Sequence, residues 1–449
     1  MSKDYFDLVY VVGVVLITVM MFILAKLTLD NTRDLTSNIV EQNTGDFDSF
    51  GRLRISDPHT LGDYKHVYGV NPDMLDYKVS GGDIVHNANE SSVKLSVTDT
   101  VGSRAVHQSK MYHHYMPGKS QLIMNTFIFK DFCKGVSKKT GYFDDRTGIF
   151  FEYNQDGVLC FNIRSYASGS AVDRTVEQKD WNGDKLDGSG KSKLNIDITK
   201  TQLFWIDFQW LAVGKVRCGF LYGDDFILCH TFYNVGILDK VYMDTANLPT
   251  RCEIANVSSN KSCNFDQICS TVISEGGYSE AGRDYSILSS TQTLAGTVGT
   301  VILPLGILLK TTFNSRPNRM FARLLDVRVF SSASNVKYEV LKVSSTNTTA
   351  SITGTTISAN DLSGVQYING YAIVAGAVTE MIGSGVVTAD TQGQKSIGTV
   401  QNLGISNAKK NFISQNYDST HSDAFVIRVT QLETTATNII VSMTWREVY

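Results

Sequence analysis

The sequence predicts an all-β protein: a jelly-roll- or concanavalin-like antiparallel β-sandwich plus a second, smaller all-β domain, preceded by a single N-terminal transmembrane helix. Three observations carry this reading. Beyond residue 46, short apolar or alternating runs recur between Gly, Asn and Asp, the pattern of antiparallel strands joined by turns. Past a boundary near 275–278 there are no cysteines, and the composition shifts to Ser, Thr, Gly, Ala and Val. Near the start, residues 8–25 form a run of eighteen uncharged residues. At about 1.5 Å per residue, a helix of that length spans roughly 27 Å of hydrocarbon.

The apolar run reads as a retained anchor in residues 1–30, with Leu8, Val12, Val15, Val19, Phe22 and Ala25 facing a lipid bilayer. A cleaved signal would have a basic start and a small-x-small exit. Here Lys3 is offset by Asp4, and Ile23-Leu24-Ala25-Lys26 is a poor cleavage site. Lys3 against Lys26 and Arg33 leaves the orientation of the anchor undecided. Residues 31–46 are polar and read as a stalk.

The body domain, 47–280, opens with a short strand that places Leu53 and Ile55 on one face and Arg52, Arg54 and Ser56 on the other. It stops at Asp57-Pro58, because a residue before proline leaves the helical region and proline cannot donate to a sheet. Strands follow at 93–97, 121–129, 148–153, 158–163, 203–211, 216–222 and 226–232, with 154–157 as a hairpin connection. Phe204, Ile206, Phe208 and Trp210 alternate, burying one face and turning Asp207 and Gln209 to the other. A two-residue turn at Gly223-Asp224 sets Cys218 opposite Cys229 as neighbouring free thiols. Residues 179–193, with Gly183, Gly188 and Gly190, read as a flexible loop.

In the second domain, 281–449, strands are expected at 301–309, 321–330, 338–343, 372–375, 425–432 and 438–445. The last sets Ile439, Val441, Met443 and Trp445 on one face.

Composition excludes some classes of function. With 449 residues, a net charge of −3 and no concentrated basic stretch, nucleic acid is not an expected partner. Lys138-Lys139 and Lys409-Lys410 read as solvated loop charges. The seven cysteines show no C-x-x-C spacing and read as buried thiols of a chain folded under reducing conditions.

Nor does a catalytic motif emerge. His107, His113 and His114 invite a metal, yet adjacent histidines on a strand point to opposite faces. Asp144-Asp145 and Asp224-Asp225 sit where turn chemistry favours aspartate over a calcium site. Glu152 and Asp156 have the spacing of a glycosidase pair, but a turn intervenes. There is no nucleophile elbow, phosphate loop, dinucleotide fingerprint or H-E-x-x-H helix. The expectation is therefore no catalytic, cofactor-binding or metal-binding residues, no cofactor, and no enzyme. Tyr112, Tyr115 and Tyr166, in polar surroundings, are the candidate contacts for a protein or glycan, with packing as the plainer reading.

The segment Phe50-Gly51-Arg52-Leu53-Arg54, followed by Ser56, Pro58, Thr60 and Leu61, resembles the opening of a family of structural, capsid- or tail-associated proteins from virions of large double-stranded DNA viruses and tailed phages. The likeness continues at 89–93, 115–120, 141–145, 206–211 and 253–256, covering about residues 47–280. It implies a non-catalytic virion protein, a minor capsid or surface component contacting other virion proteins of a capsid lattice and oligomeric in assembly. With the anchor, it would be single-pass and membrane-associated in the virion, serving assembly or host attachment. A membrane-anchored lectin or adhesin that binds host-surface glycans or proteins is the alternative.

Overall fold

The computed structural model describes residues 19–21, 24, 26, 47–51, 53, 57–130, 132–279, 281–346, 350–388, 397–400 and 411–449. Among these, Val19, Met20, Met21, Leu24 and Lys26 are helical, and Val19 is half-exposed. No helix among the described residues is long and apolar enough to cross a membrane. Leu8, Val12, Val15, Phe22 and Ala25 lie outside the described residues, as do Arg52 and Arg54.

Residues 59–275 form an antiparallel β-sandwich. One sheet runs in the order Asp225–Phe232, Val216–Tyr222, Gln202–Phe208, Ser120–Ile128, Cys263–Glu275, Ser92–Val97 and Asp83–Asn87, with His59–Lys65 also paired to Cys263–Glu275. The other runs Val172–Glu177, Leu159–Ser165, Gly148–Tyr153, Val136–Phe143, Thr250–Asn256, Arg104–Ser109 and Met74–Val79. Alternation decides which side chains meet between them. Phe204, Ile206 and Phe208 point inward, and Phe151 lies among the rings of Phe127, Phe129, Phe161, Phe204 and Phe220.

Residues 283–448 build a second pair of sheets. Thr437–Val448 lies between Arg283–Leu288 and Phe321–Ser331, which continues to Ile397–Val400. The facing sheet is Thr356–Ser358, Val365–Ile368, Val301–Leu309, Ala424–Gln431, Val336–Ser344 and Val378–Val387. Ile439, Val441, Met443 and Trp445 are all fully buried on the inner face of the last strand.

Several expectations are corrected. Asp207 sits on the outer face of its strand, as alternation requires, but it is fully buried and not solvent-facing. The segment 47–51 covers it: Ser49 Oγ donates to Asp207 Oδ1 at 2.7 Å, Ser120 Oγ donates to the same oxygen at 2.5 Å, and Arg217 holds Oδ2 and the Phe47 carbonyl. Phe47 and Leu53 form an isolated bridge around a turn with Gly51 at φ 77°, so residues 47–51 are a folded-back cap and Leu53 is exposed; Arg52, Arg54, Ile55 and Ser56 of the expected strand lie outside the described residues. The first strand of the sheet begins only at His59.

A bulge between Cys218 and Gly219 shifts the hairpin register. Tyr222 pairs with Asp225 as the turn dictates, but Cys218 lies opposite His230 and Cys229 is the extra residue. Both thiols are free and buried. Cys133 and Cys263, separated by 130 residues, are bonded to each other, which corrects the fully reduced reading. Lys138 is also buried, its ammonium donating to the Phe129 carbonyl, so it is no solvated loop charge.

Residues 179–193 are packed and not loose. The Gly183 and Asp184 amides donate to the Cys229 and Leu228 carbonyls at 2.9 Å, while Trp181 stacks on Phe161 at 4.3 Å. A Cβ at Gly183 would meet the Leu228 oxygen at 2.4 Å, so this close approach requires glycine.

Candidate functional site

The two sandwiches meet along a boundary that leaves a groove on one side. Three segments of the first sandwich and one hairpin of the second build it, each held by local turn chemistry.

The first segment, 144–147, joins Val136–Phe143 to Gly148–Tyr153. Asp144 Oδ1 accepts the Arg146 and Thr147 amides at 2.8 and 2.9 Å, an Asx turn. The turn carries Arg146 across the aromatic ring of Tyr166, its guanidinium carbon 3.9 Å from the centroid. The second segment, 166–169, follows Leu159–Ser165, and its Tyr166 is partly buried.

The third segment, 240–247, precedes Thr250–Asn256. Tyr242 ties it to the neighbouring loop through its hydroxyl on the Gln209 carbonyl and its amide on the Ala212 carbonyl. Asn247 accepts the Tyr115 amide at 2.8 Å.

From the second sandwich comes the hairpin of Thr312–Phe313 and Arg316–Pro317. Its turn residues Asn314 and Ser315 both have positive φ, 48° and 62°, the geometry of a two-residue turn that matches strand twist. Asparagine tolerates this conformation well and serine less so. Ser315→Gly is therefore expected to raise stability by about 0.5–1 kcal/mol, readable in a urea melt; a lower midpoint would contradict the turn geometry.

Two adjoining hollows, of about 620 and 430 Å³, share Arg146, Asp244 and Arg316 in their walls. These volumes are in the range of small-molecule sites, roughly 300–1,000 Å³. The larger is completed by Tyr166, Lys240 and Val241, and the smaller by Tyr112, Asn247, Phe313 and Arg319 among others. Arg319 lies over the Tyr112 ring at 5.0 Å and donates to the Asn416 and Tyr417 carbonyls at 3.2 and 2.9 Å. Tyr112 donates to Asp144 Oδ2 at 3.3 Å, and its burial pushes its hydroxyl pKa well up.

Two polar atoms in these walls are left unsatisfied. Arg146 Nε and Asp244 Oδ1 are buried and have no hydrogen-bond partner among the described residues, as is also true of Arg174 Nε, Arg217 Nε and Arg251 Nε away from the groove.

A polar joint also links the two sandwiches. Tyr417, from the hairpin tip 416–421, stacks on Tyr77 of the first sandwich at 4.1 Å and 15° and donates to Asp145. Arg251, fully buried, donates to Asp145, Glu253 and the Tyr417 hydroxyl, and Arg104 bridges Glu253 and Asp145. Burial alone would raise both carboxyls, but Arg251 and Arg104 outweigh it and hold Asp145 and Glu253 well below the usual carboxylate range. Met111, Phe321, Phe412 and Val448 form an apolar contact across the same boundary.

Of the tyrosines singled out in the sequence, Tyr112 and Tyr166 border the groove, but only Tyr166 is partly exposed; Tyr112 is buried with Arg319 over its ring, so its role as an exposed contact is corrected. Tyr115 does not border it: it is buried, stacked on Phe208 at 5.6 Å, and its hydroxyl joins the Lys119 carbonyl to the Trp210 amide. It packs the core, so its role as an exposed contact is corrected. The histidines do not converge. His113 bonds Tyr64 and the Leu248 carbonyl, and burial pushes its pKa down to about 4, whereas His107 bonds Asp76. No group of three or more His, Cys, Asp or Glu among the described residues is placed to hold a metal ion. Glu152 is engaged by Ser137 and Asn162, apart from the exposed Asp156. Arg146, Asp244 and Arg316 were not singled out in the sequence; the Asp-Asp-Arg-Thr turn at 144–147 was the one local signal for any of them.

No family model and no curated protein sequence matches the chain. Solved structures of similar shape include a legume lectin-like domain from Entamoeba histolytica, at 12% identity over 47% of this chain and 96% of that one, with a TM-score of 0.29. Peanut lectin is similar at 12% identity over 49% and 98%, with a TM-score of 0.29. A GH16 protein from Bacteroides ovatus, in complex with a G4G4G3G product, is similar at 8% identity over 46% and 98%, with a TM-score of 0.30. What the groove can do is read from its own side chains.

Proposed function

We propose that this chain is a non-catalytic glycan-binding protein whose site is the groove between the two sandwiches. The observation that carries the reading is the groove itself, whose walls bring Arg146, Asp244 and Arg316 together beside the Arg146–Tyr166 stack. A saccharide presents neighbouring hydroxyls that both donate and accept, so a single sugar ring can satisfy a carboxylate acceptor and a guanidinium donor together. Tyr166, partly exposed, adds aromatic surface for the C–H face of such a ring. Binding without hydrolysis is the reading because hydrolysis needs two available carboxylates, and Asp144 is engaged by two amides and the Tyr112 hydroxyl.

In this reading, the resemblance to structural virion proteins and the apolar run 8–25 supply the setting, a particle or membrane surface that offers the groove to host glycans. The test is a glycan array probed with the full chain and with Tyr166→Ala. Saturable binding to a defined saccharide, weakened about tenfold by Tyr166→Ala, is expected. Absence of any saccharide signal, or binding indifferent to Tyr166, would sink the proposal.

A further inference from the structure

We infer that the ligand class of this groove is an acidic saccharide, one bearing a carboxylate or sulfate, held by Arg146, Arg316 and Lys240. The inference rests on the glycan reading above and adds the charge of the ligand to it.

It follows from which charges in the groove are already engaged. The lining cations are Arg146, Lys240, Arg316 and Arg319, and the lining carboxylates are Asp144 and Asp244. Arg319 is occupied by two backbone carbonyls, and Asp144 by two amides and a tyrosine hydroxyl. What remains is three cations facing one carboxylate. Elsewhere Arg164, Arg217, Arg251, Arg328, Arg428 and Arg446 each have a carboxylate partner, whereas Arg174 donates to Asn234 Oδ1. The chain is net acidic, at −3, so carboxylates are not scarce. Among the described residues, the three remaining cations of this groove share a single lining carboxylate, an excess of positive charge that leaves a place for an external anion.

The geometry of Arg146 narrows the anion. Stacking on Tyr166 covers a face of the guanidinium and Nε is buried, so the terminal N–H groups are the ones left to donate in the ring plane, where a carboxylate or sulfate accepts two parallel hydrogen bonds. Arg316, exposed on its hairpin, and Lys240, exposed on the 240–247 segment, add charge at the rim. Asp244 excludes the simpler alternatives. A dense polyanion such as nucleic acid would set charge against its unpartnered carboxylate, whereas a sugar acid can turn a hydroxyl to Asp244 and its anionic group to the arginines.

The experiment uses the full chain on an array of matched pairs: sialylated oligosaccharides beside their desialylated forms, uronate oligosaccharides beside their methyl esters, and sulfated beside desulfated glycans. Arg316→Gln and Lys240→Gln are run in parallel, both at exposed positions where the fold is not at stake. The expected result is binding to acidic members alone, weakened by added salt, with Arg316→Gln lowering that affinity about tenfold. Equal or better binding of the neutral members would overturn the charge inference and leave the glycan reading standing. No signal from either member of any pair, with or without capture by phosphatidylserine vesicles, would overturn both.

Discussion

Replacing Asp207 with alanine is expected to lower the unfolding free energy by roughly 3–5 kcal/mol, because the change leaves a buried guanidinium without its carboxylate. Asp207 is fully buried and Arg217 nearly so. Arg217 keeps only the Phe47 carbonyl in the variant, and Ser49 and Ser120 lose their common acceptor. The consequence is structural as well as energetic. Asp207 is the point where two segments distant in sequence, 47–51 and 202–208, are joined, so the cap over the outer face should loosen with it. Urea denaturation gives the free-energy loss, and faster amide exchange at 47–51 reports the cap. A loss under about 1 kcal/mol would mean that the cap does not bury the pair in solution.

Arg251→Met is expected to cost a comparable amount, about 3–5 kcal/mol, and to act on the joint between the sandwiches. Methionine matches much of the stem but leaves Glu253 and Asp145 to share Arg104, and it removes a donor from the Tyr417 hydroxyl. The pH dependence follows from the two carboxyls. Their folded pKa values lie below the unfolded ones, so the stability they contribute is fully present above the ordinary carboxylate range, near pH 4, and is lost as pH falls through and below it. Without Arg251 the opposition to desolvation is weakened, and acid should unfold or undock the variant at a higher pH than the parent. Thermal melts between pH 7 and pH 3 test this; identical acid profiles would contradict the assignment. Because Arg146 follows Asp145 directly, the variant should also disturb the groove.

Much of the fold was legible because β-strands alternate. Gly148–Tyr153, Val216–Tyr222 and Val301–Leu309 have the bounds that the pattern predicts, and the four inward residues of the last strand are buried as read. Alternation reports which face a residue occupies and not what covers that face. It placed Asp207 opposite the core correctly, yet could not see residues 47–51 folding over it. Counting from a turn is likewise blind to a bulge, which is why Cys218 meets His230. The bond between Cys133 and Cys263 joins points that no local spacing relates.

The groove was legible only in its aromatic part. Tyr112 and Tyr166 were picked from their polar neighbours, and the same cue misled at Tyr115, whose neighbours in sequence are polar while those in space are Phe208 and Trp210. Arg146, Asp244 and Arg316 belong to segments up to 170 residues apart, the difference between 146 and 316 in the chain. They become one site only when the second sandwich docks through Tyr417.

The central claim is that ligand enters between the sandwiches. Hydrogen–deuterium exchange of the full chain, with and without the saccharide that binds best on the array, tests it directly. Protection confined to 144–147, 166–169, 240–247 and 312–317 is the predicted result. Protection on either sandwich away from these segments, with the groove unchanged, would contradict it.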